Sequence, residues 1–317
     1  MRKNHINSTI SIIAISILAY LSYTIWTGWS ETLNAIVRLG FGGIVLVLLL
    51  SLFNYALRFV RWHWYLSSTE VQGLSIARSL RYYVAGFAFT TTPGKAGEMV
   101  RSVFLKRYNV PYAQSLSIFF VERLSDLLSV LILGALILLH FQEYQRWLII
   151  PVVGAIVLLA VLKHEPLIKR LEQFFMRGEH PRLKHLRHLF DLLLHSHTLL
   201  KYRFLYGGLL LGVIAWGAEG LGFYYILQGI GVNTPLALAI GIYSMSLVIG
   251  ALSFLPAGLG GTEATMLILL TALGAAHEDA VAATLICRLA TLWFAVILGG
   301  FTMIGLKLHD EETPTAV

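Results

Sequence analysis

The chain of 317 residues carries 57% hydrophobic and 13% charged side chains, with a mean hydropathy of +0.72 and a formal net charge of +7. Soluble domains hold about 25% charged residues, so a water-soluble globule is excluded. In so apolar a chain the basic excess marks cytoplasmic loops; no separate basic domain points to nucleic acid, and the single Cys287 permits neither an internal disulfide nor a thiolate metal centre.

In chain order, Met1-Arg2-Lys3 precedes the apolar run Ile10–Ile25. No small-x-small cleavage site follows it near Trp26–Trp29, so a retained first helix with its N-terminus inside is expected. Spanning helices are predicted near 8–27, 38–59, 114–139, 147–163, 204–227 and 281–306, each approaching the roughly 20 residues that cross a bilayer. Trp26, Trp29, Trp62, Trp64, Tyr65, Trp147 and Tyr206 sit at their ends, where aromatic belts form. The stretches 75–105 and 235–275 are also apolar, but proline and glycine break each in its middle. Lipid cannot solvate the backbone groups that such a break frees, so each is read as a re-entrant hairpin packed in protein or lining a wet cavity. Segment 235–255 is long enough to span, which leaves about eight spanning helices as the alternative.

The polar stretch 163–203 holds nine lysines and arginines against four acids, with Leu167, Leu171, Phe174 and Phe175 at helical spacing. This pattern predicts amphipathic helices on the cytoplasmic face, suited to anionic headgroups. His185 and His188 share a helix face there, but no carboxylate or cysteine completes a metal set.

The two breaks carry the same pairing. Thr92-Pro93-Gly94-Lys95-Ala96-Gly97-Glu98 is followed by Arg123, and Leu255-Pro256-Ala257-Gly258-Leu259-Gly260-Gly261-Thr262-Glu263 by Arg288. In both, 25 positions separate glutamate from arginine. Arg58, Arg61, Arg78, Arg81, Lys95, Arg101, Lys106 and Arg107 assign the first region to cytoplasmic loops, whereas no lysine or arginine lies between Arg203 and Arg288. The hairpins then enter from opposite sides. The expected fold is an all-α integral membrane bundle with two inverted repeats, 8–163 and 204–306, in one domain spanning 1–317. An amphipathic connector, 164–203, joins the repeats, and 307–317 forms a tail. Both termini are expected in the cytoplasm, the membrane being a bacterial inner membrane.

Burying a lone charge in lipid costs at least about 2.5–3.5 kcal/mol. Glu98, Glu122, Arg123, Asp126, Glu219, Glu263 and Arg288 should therefore pair around a wet interior. Arg123 sits three residues before Asp126 on one helix, and Glu122 four before it, forming a local cluster that Glu98 or Glu263 could join. Arg123 and Arg288 are candidate forked donors to a lipid phosphate, with Lys95 as a third cation. Gly94, Gly97, Gly258, Gly260 and Gly261 would let backbone N–H groups approach the headgroup. Glu98, Glu263, Glu122 and Asp126 would neutralise the arginines and could titrate; the plain alternative is that the pairs only pin each hairpin to its neighbouring helix. Thr90, Thr91, Thr92 and Thr262 are expected to cap freed backbone. No Asp-x-Asp, His-Glu-x-x-His or Gly-x-Ser-x-Gly motif is present, and no catalytic residue or cofactor is assigned.

The segments T-P-G-K-A-G-E at 92–98, V-E-R-L-S-D-L-L at 121–128, P-A-G-L-G-G-T-E at 256–263 and C-R-L-A-T-L-W at 287–293 together resemble the membrane region of lysylphosphatidylglycerol synthases and their stand-alone flippase-like relatives. The resemblance covers residues 8 to 306. Full-length synthases add a cytosolic aminoacyl-transfer domain, for which a chain ending at Val317 leaves no room. The resemblance therefore implies lipid binding or translocation without synthase chemistry, on substrates ranging from aminoacylated phospholipids to polyprenyl-phosphate carriers. The expected partner is an anionic membrane lipid, with a lipid-modifying enzyme as a candidate protein partner. An intramembrane transferase or phosphatase acting on a polyprenyl-phosphate lipid, and a non-catalytic scaffold, stay open as alternatives.

Overall fold

The computed structural model describes residues 3–69, 71–140, 145–176 and 184–312, with side-chain surroundings for 30–69, 71–92, 95–138, 140, 149–175 and 190–306. Every regular element among them is helical. Helix α1 runs from Lys3 to Leu66 as a single 64-residue element. At about 1.5 Å per residue it is too long for one crossing, and Gly40, at φ +69°, breaks its right-handed course. The predicted segments 8–27 and 38–59 thus belong to one helical run instead of two helices with a loop. Between Trp26 and Arg38 there is no proline and only one glycine, Gly28, so nothing stops the helix.

The later part of α1 packs antiparallel to α8 (Tyr202–Gly229). Glycines on α8 set the approach. A Cβ on Gly207 would strike Trp64, one on Gly222 would touch Val47 and Leu50, and one on Gly229 would strike Leu39. Small residues let helix backbones close on each other where lipid gives no hydrophobic drive. Helix α4 (Tyr112–Gly134) packs against α8 and continues into a 3-10 turn, Ala135–Leu139.

The first broken stretch is a hairpin. Its descending arm is α2 (Ile76–Gly86) with a 3-10 turn at Phe87–Phe89. Its returning arm is a 3-10 segment, Pro93–Val100, then α3 (Arg101–Leu105) and a turn at Lys106–Tyr108. The arms are zipped along their length. Arg78 Nη1 donates to the Tyr108 hydroxyl at 2.8 Å, Tyr82 stacks on Phe104 at 4.8 Å, and Phe89 lies where a Cβ on Gly97 would be.

Helix α5 (Gln145–Lys163) bends by 79° into α6 (Glu165–Met176), and α7 (Lys184–Leu199) returns against it. Leu167, Leu171, Phe174 and Phe175 are exposed on α6, as the amphipathic pattern predicts. On its polar side Lys169 pairs with Glu165 at 2.6 Å.

The second broken stretch is also a hairpin: α9 (Leu236–Leu252), a turn at Pro256–Gly258, and α10 (Gly261–Ala272), with Gly250 against Thr262 and Gly261 against Ser253. At 12 residues α10 is too short for a full crossing, whereas α9, at 17, reaches the lower end of the spanning range. Helix α11 (His277–Arg288) passes through a π-helical turn, Leu289–Trp293, into α12 (Phe294–Glu312).

Among the described residues three segments, Ser30–Leu66, Tyr202–Ile230 and His277–Leu306, are long and apolar enough to cross a membrane, and the bent α5–α6 pair would make a fourth. That is fewer than the six spanning helices predicted. The 8–27 side chains lie outside those described, and the 114–139 helix carries three charges. The exterior is greasy: Phe41 and Phe301 are 83% and 73% exposed. The two larger apolar clusters of the interior lie one around each hairpin.

Candidate functional site

The proline-glycine tips of the two hairpins, Pro93–Val100 and Pro256–Gly258, pack against each other in the interior. Both tips bend through left-handed backbone at non-glycine residues: Lys95 at φ 57°, and Phe254 and Ala257 at φ 54°. Such conformations cost about 1–3 kcal/mol each and persist only where the surroundings impose them. A cavity of about 310 Å³ opens where the tips meet. Residues of both tips line it, together with Arg58 of α1, Arg123 and Asp126 of α4, Trp216 and Glu219 of α8, and Arg288.

The two predicted glutamate–arginine pairs differ in tightness. Glu263 Oε1 accepts from Arg288 Nε at 2.6 Å, while its Oε2 accepts the Gly260 N–H at 2.7 Å and so caps α10. Arg288 also donates from Nη2 to the Ala257 carbonyl at 3.0 Å, tying the second tip to α11. Glu98 instead takes its closest cation from its own hairpin. Arg101 Nη2 donates to Glu98 Oε2 at 2.9 Å, with Arg123 farther off at 3.7 Å; the other carboxylate oxygen accepts from Thr90 at 2.9 Å.

Arg101 also reaches Glu122 at 3.2 Å and lies over the Tyr83 ring at 4.8 Å. Glu122 therefore faces the first hairpin, and Arg123 does not bridge it to Asp126. Asp126 gathers three guanidinium groups: Arg61 at 2.5 Å, Arg123 at 3.2 Å and Arg58 at 3.5 Å, and the Trp216 indole N–H donates to it at 3.0 Å. Arg123 spans the gap between Asp126 and Glu98 along the cavity wall. Its side chain is 18% exposed, against 4% for Arg101 and 0% for Arg61.

Three of these residues overturn an expectation. Arg58, Arg61 and Arg101, counted among the charges that mark the first region's loops as cytoplasmic, are buried in α1 and α3. Arg78, Arg81, Lys106 and Arg107 remain exposed around the base of the first hairpin. One signal for the buried set was present in the sequence. Arg58 and Arg61 share a helix face by their three-residue spacing, as do Glu98 and Arg101. Trp216 and Tyr243, both in the cavity lining, carried none.

The glycines divide. Gly258 lines the cavity at φ +68°. Gly97 donates its N–H to Thr92 Oγ1 at 2.6 Å and lets the hairpin arms close, and Gly260 gives its N–H to Glu263. Gly94 lies beside Pro93 at the start of the returning arm, and Gly261 begins α10. Thr92 caps the turn by donating to the Phe89 carbonyl, whereas the Thr90 hydroxyl goes to Glu98. Lys95 sits over the Trp216 ring at 5.6 Å, with no carboxylate among the described residues at ion-pair distance. His185 and His188 lie outside the described side chains.

A UPF0104 membrane protein of Pyrococcus horikoshii is 22% identical over 324 aligned positions, covering 92% of this chain and 96% of that protein. Two UPF0104 membrane proteins of Methanothermobacter thermautotrophicus match more narrowly. One is 30% identical over 28% of this chain and 27% of its own length, the other 22% identical over 64% and 67%. The family model described as the lysylphosphatidylglycerol synthase TM region matches residues 11–299, and the chain belongs to that family of integral membrane proteins.

Proposed function

We propose that the protein carries a phosphate-bearing lipid headgroup between bilayer leaflets through the cavity where the two hairpin tips meet. The cation-rich lining carries this reading: Arg58, Lys95, Arg123 and Arg288 reach a space large enough for a headgroup but not for acyl chains. Guanidinium groups meet phosphate oxygens in pairs, and in a low-dielectric cavity each such contact is stronger than in water. The tails would stay in the bilayer. Ala251 and Leu255 support such a route, because both line the cavity and are exposed.

The hairpin bases also support a mirrored arrangement of two repeats. His63 at one end of α1 meets Ser79 of the first hairpin at 2.9 Å. Arg38, 25 residues earlier, meets Asp279 just beyond the second hairpin at 2.5 Å. The inner membrane, with both termini in the cytoplasm, is the setting consistent with the exposed basic residues near His63. A metal-dependent transferase fits less well, since Glu122 and Asp126 are already committed to guanidinium groups.

The test is reconstitution in liposomes with fluorescent phosphatidylglycerol and a zwitterionic control lipid. The expected result is facilitated movement of the anionic lipid, lost in Arg123→Ala and in Leu255→Trp while both variants remain monodisperse. Equal movement of both lipids, or full activity in Arg123→Ala, contradicts the reading.

A further inference from the structure

One buried acid of the cavity stands apart from the others. Glu219 of α8 is 4% exposed, and its Oε2 accepts a hydrogen bond from the Tyr243 hydroxyl of α9. Among the described residues no guanidinium or ammonium group reaches it at ion-pair distance, whereas Glu98, Glu122, Asp126 and Glu263 each hold an arginine. Tight packing fixes it in place, for a Cβ on the neighbouring Gly220 would press on Ile240 of α9 at 3.2 Å. Facing Glu219 are Tyr55 and Arg58 from α1, Lys95 from the first tip, Asp126 from α4, and Cys287 and Arg288 from α11.

An ionised carboxylate without a partner is expensive in such a place, and a proton is the smallest group that neutralises it. We propose that Glu219 is a proton-binding site coupled to anion binding in the cavity, a reading that rests on the headgroup function above. The cavity wall carries four cations, Arg58, Lys95, Arg123 and Arg288, against three carboxylates, Glu98, Asp126 and Glu219. With Glu219 ionised the wall bears one net positive charge; with Glu219 protonated it bears two. A phosphate binds the second state more tightly, and by linkage a bound phosphate draws a proton onto Glu219. Proton and anionic headgroup therefore enter together from the more acidic side. On the other side Glu219 returns its proton to water as the headgroup leaves, and Tyr243 continues to donate to the carboxylate.

Two measurements test this. In liposomes, a pH gradient that is acidic on the side the lipid leaves should speed phosphatidylglycerol movement by about tenfold in the natural protein. That dependence should vanish in Glu219→Gln, which keeps an acceptor for Tyr243. Separately, infrared spectra of the purified protein should show a protonated-carboxyl band that weakens as the pH is raised and that Glu219→Gln removes. Lipid movement indifferent to the gradient in the natural protein, or a carboxyl band unchanged by Glu219→Gln, overturns the proposal. If no lipid moves at all, the headgroup function fails, and the infrared band alone decides the proton site.

Discussion

Arg101 joins Glu98 to Glu122 where neither water nor lipid reaches. Removing one partner of a buried ion pair strands the other charge and costs about 3–5 kcal/mol. Arg101→Ala should therefore lower the thermal unfolding temperature in detergent sharply, since two carboxylates lose their nearest cation. Arg101→Lys should recover only part of the loss, because an ammonium group cannot fork between two acids. Arg38→Ala removes an exposed pair with Asp279 and should cost no more than about 1 kcal/mol. Similar melting losses in the two alanine variants would show that burial does not govern these pairs. Sequence spacing made the Glu263–Arg288 pair legible, because the same acid-to-arginine offset recurs behind both breaks and a charge at that depth needs a partner. Arg58 and Arg61 were legible only in part: their three-residue spacing puts them on one helix face, but does not turn that face toward Asp126. Arginines next to Trp62 at the end of an apolar run look like an interfacial anchor, and only the position of Asp126 in space reveals them as its partners.

At the scale of elements, the hairpins were readable because proline and glycine leave backbone groups that lipid cannot satisfy, and the chain can bury them only at a packed tip. The continuity of α1 was not readable, since a helix that runs on and one that stops leave the same apolar pattern. Glycine pairs show how the elements dock. On α12, a Cβ on Gly299 would overlap the backbone at Phe87 and Ala88, whereas one on the adjacent Gly300 would meet nothing within 4 Å. Gly299→Ala must push α12 off the first hairpin, at an overpacking cost of about 1–3 kcal/mol. Gly300→Ala should be neutral or gain up to about 1 kcal/mol from helix propensity. Because the hairpin tip forms one wall of the cavity, Gly299→Ala should also slow lipid movement, while Gly300→Ala should not. Matching unfolding temperatures for the two variants would mean that α12 does not clamp the tip.

For the whole molecule, the decisive relation is between the two hairpin bases. The first base sits beside His63 and the second beside Arg38, and the stretch of α1 from Phe41 to His63 alone rises about 33 Å at 1.5 Å per residue, enough to cross a bilayer core. Tips that enter from opposite surfaces and touch midway leave a single cavity that either side could reach in turn, which is what alternating access requires. Tips entering from one surface would make a dead-end pocket. Cysteines at Ser75 and Glu278, both exposed at the bases, separate these cases, and the buried Cys287 should contribute little background. A membrane-impermeant maleimide applied to sealed right-side-out vesicles should label Glu278→Cys and spare Ser75→Cys, with the pattern reversed in inverted vesicles. Labelling of both from one side would place both proline bends on the same surface. The meeting of the tips would then be lateral contact within one leaflet, and a headgroup bound there would have no path to the other.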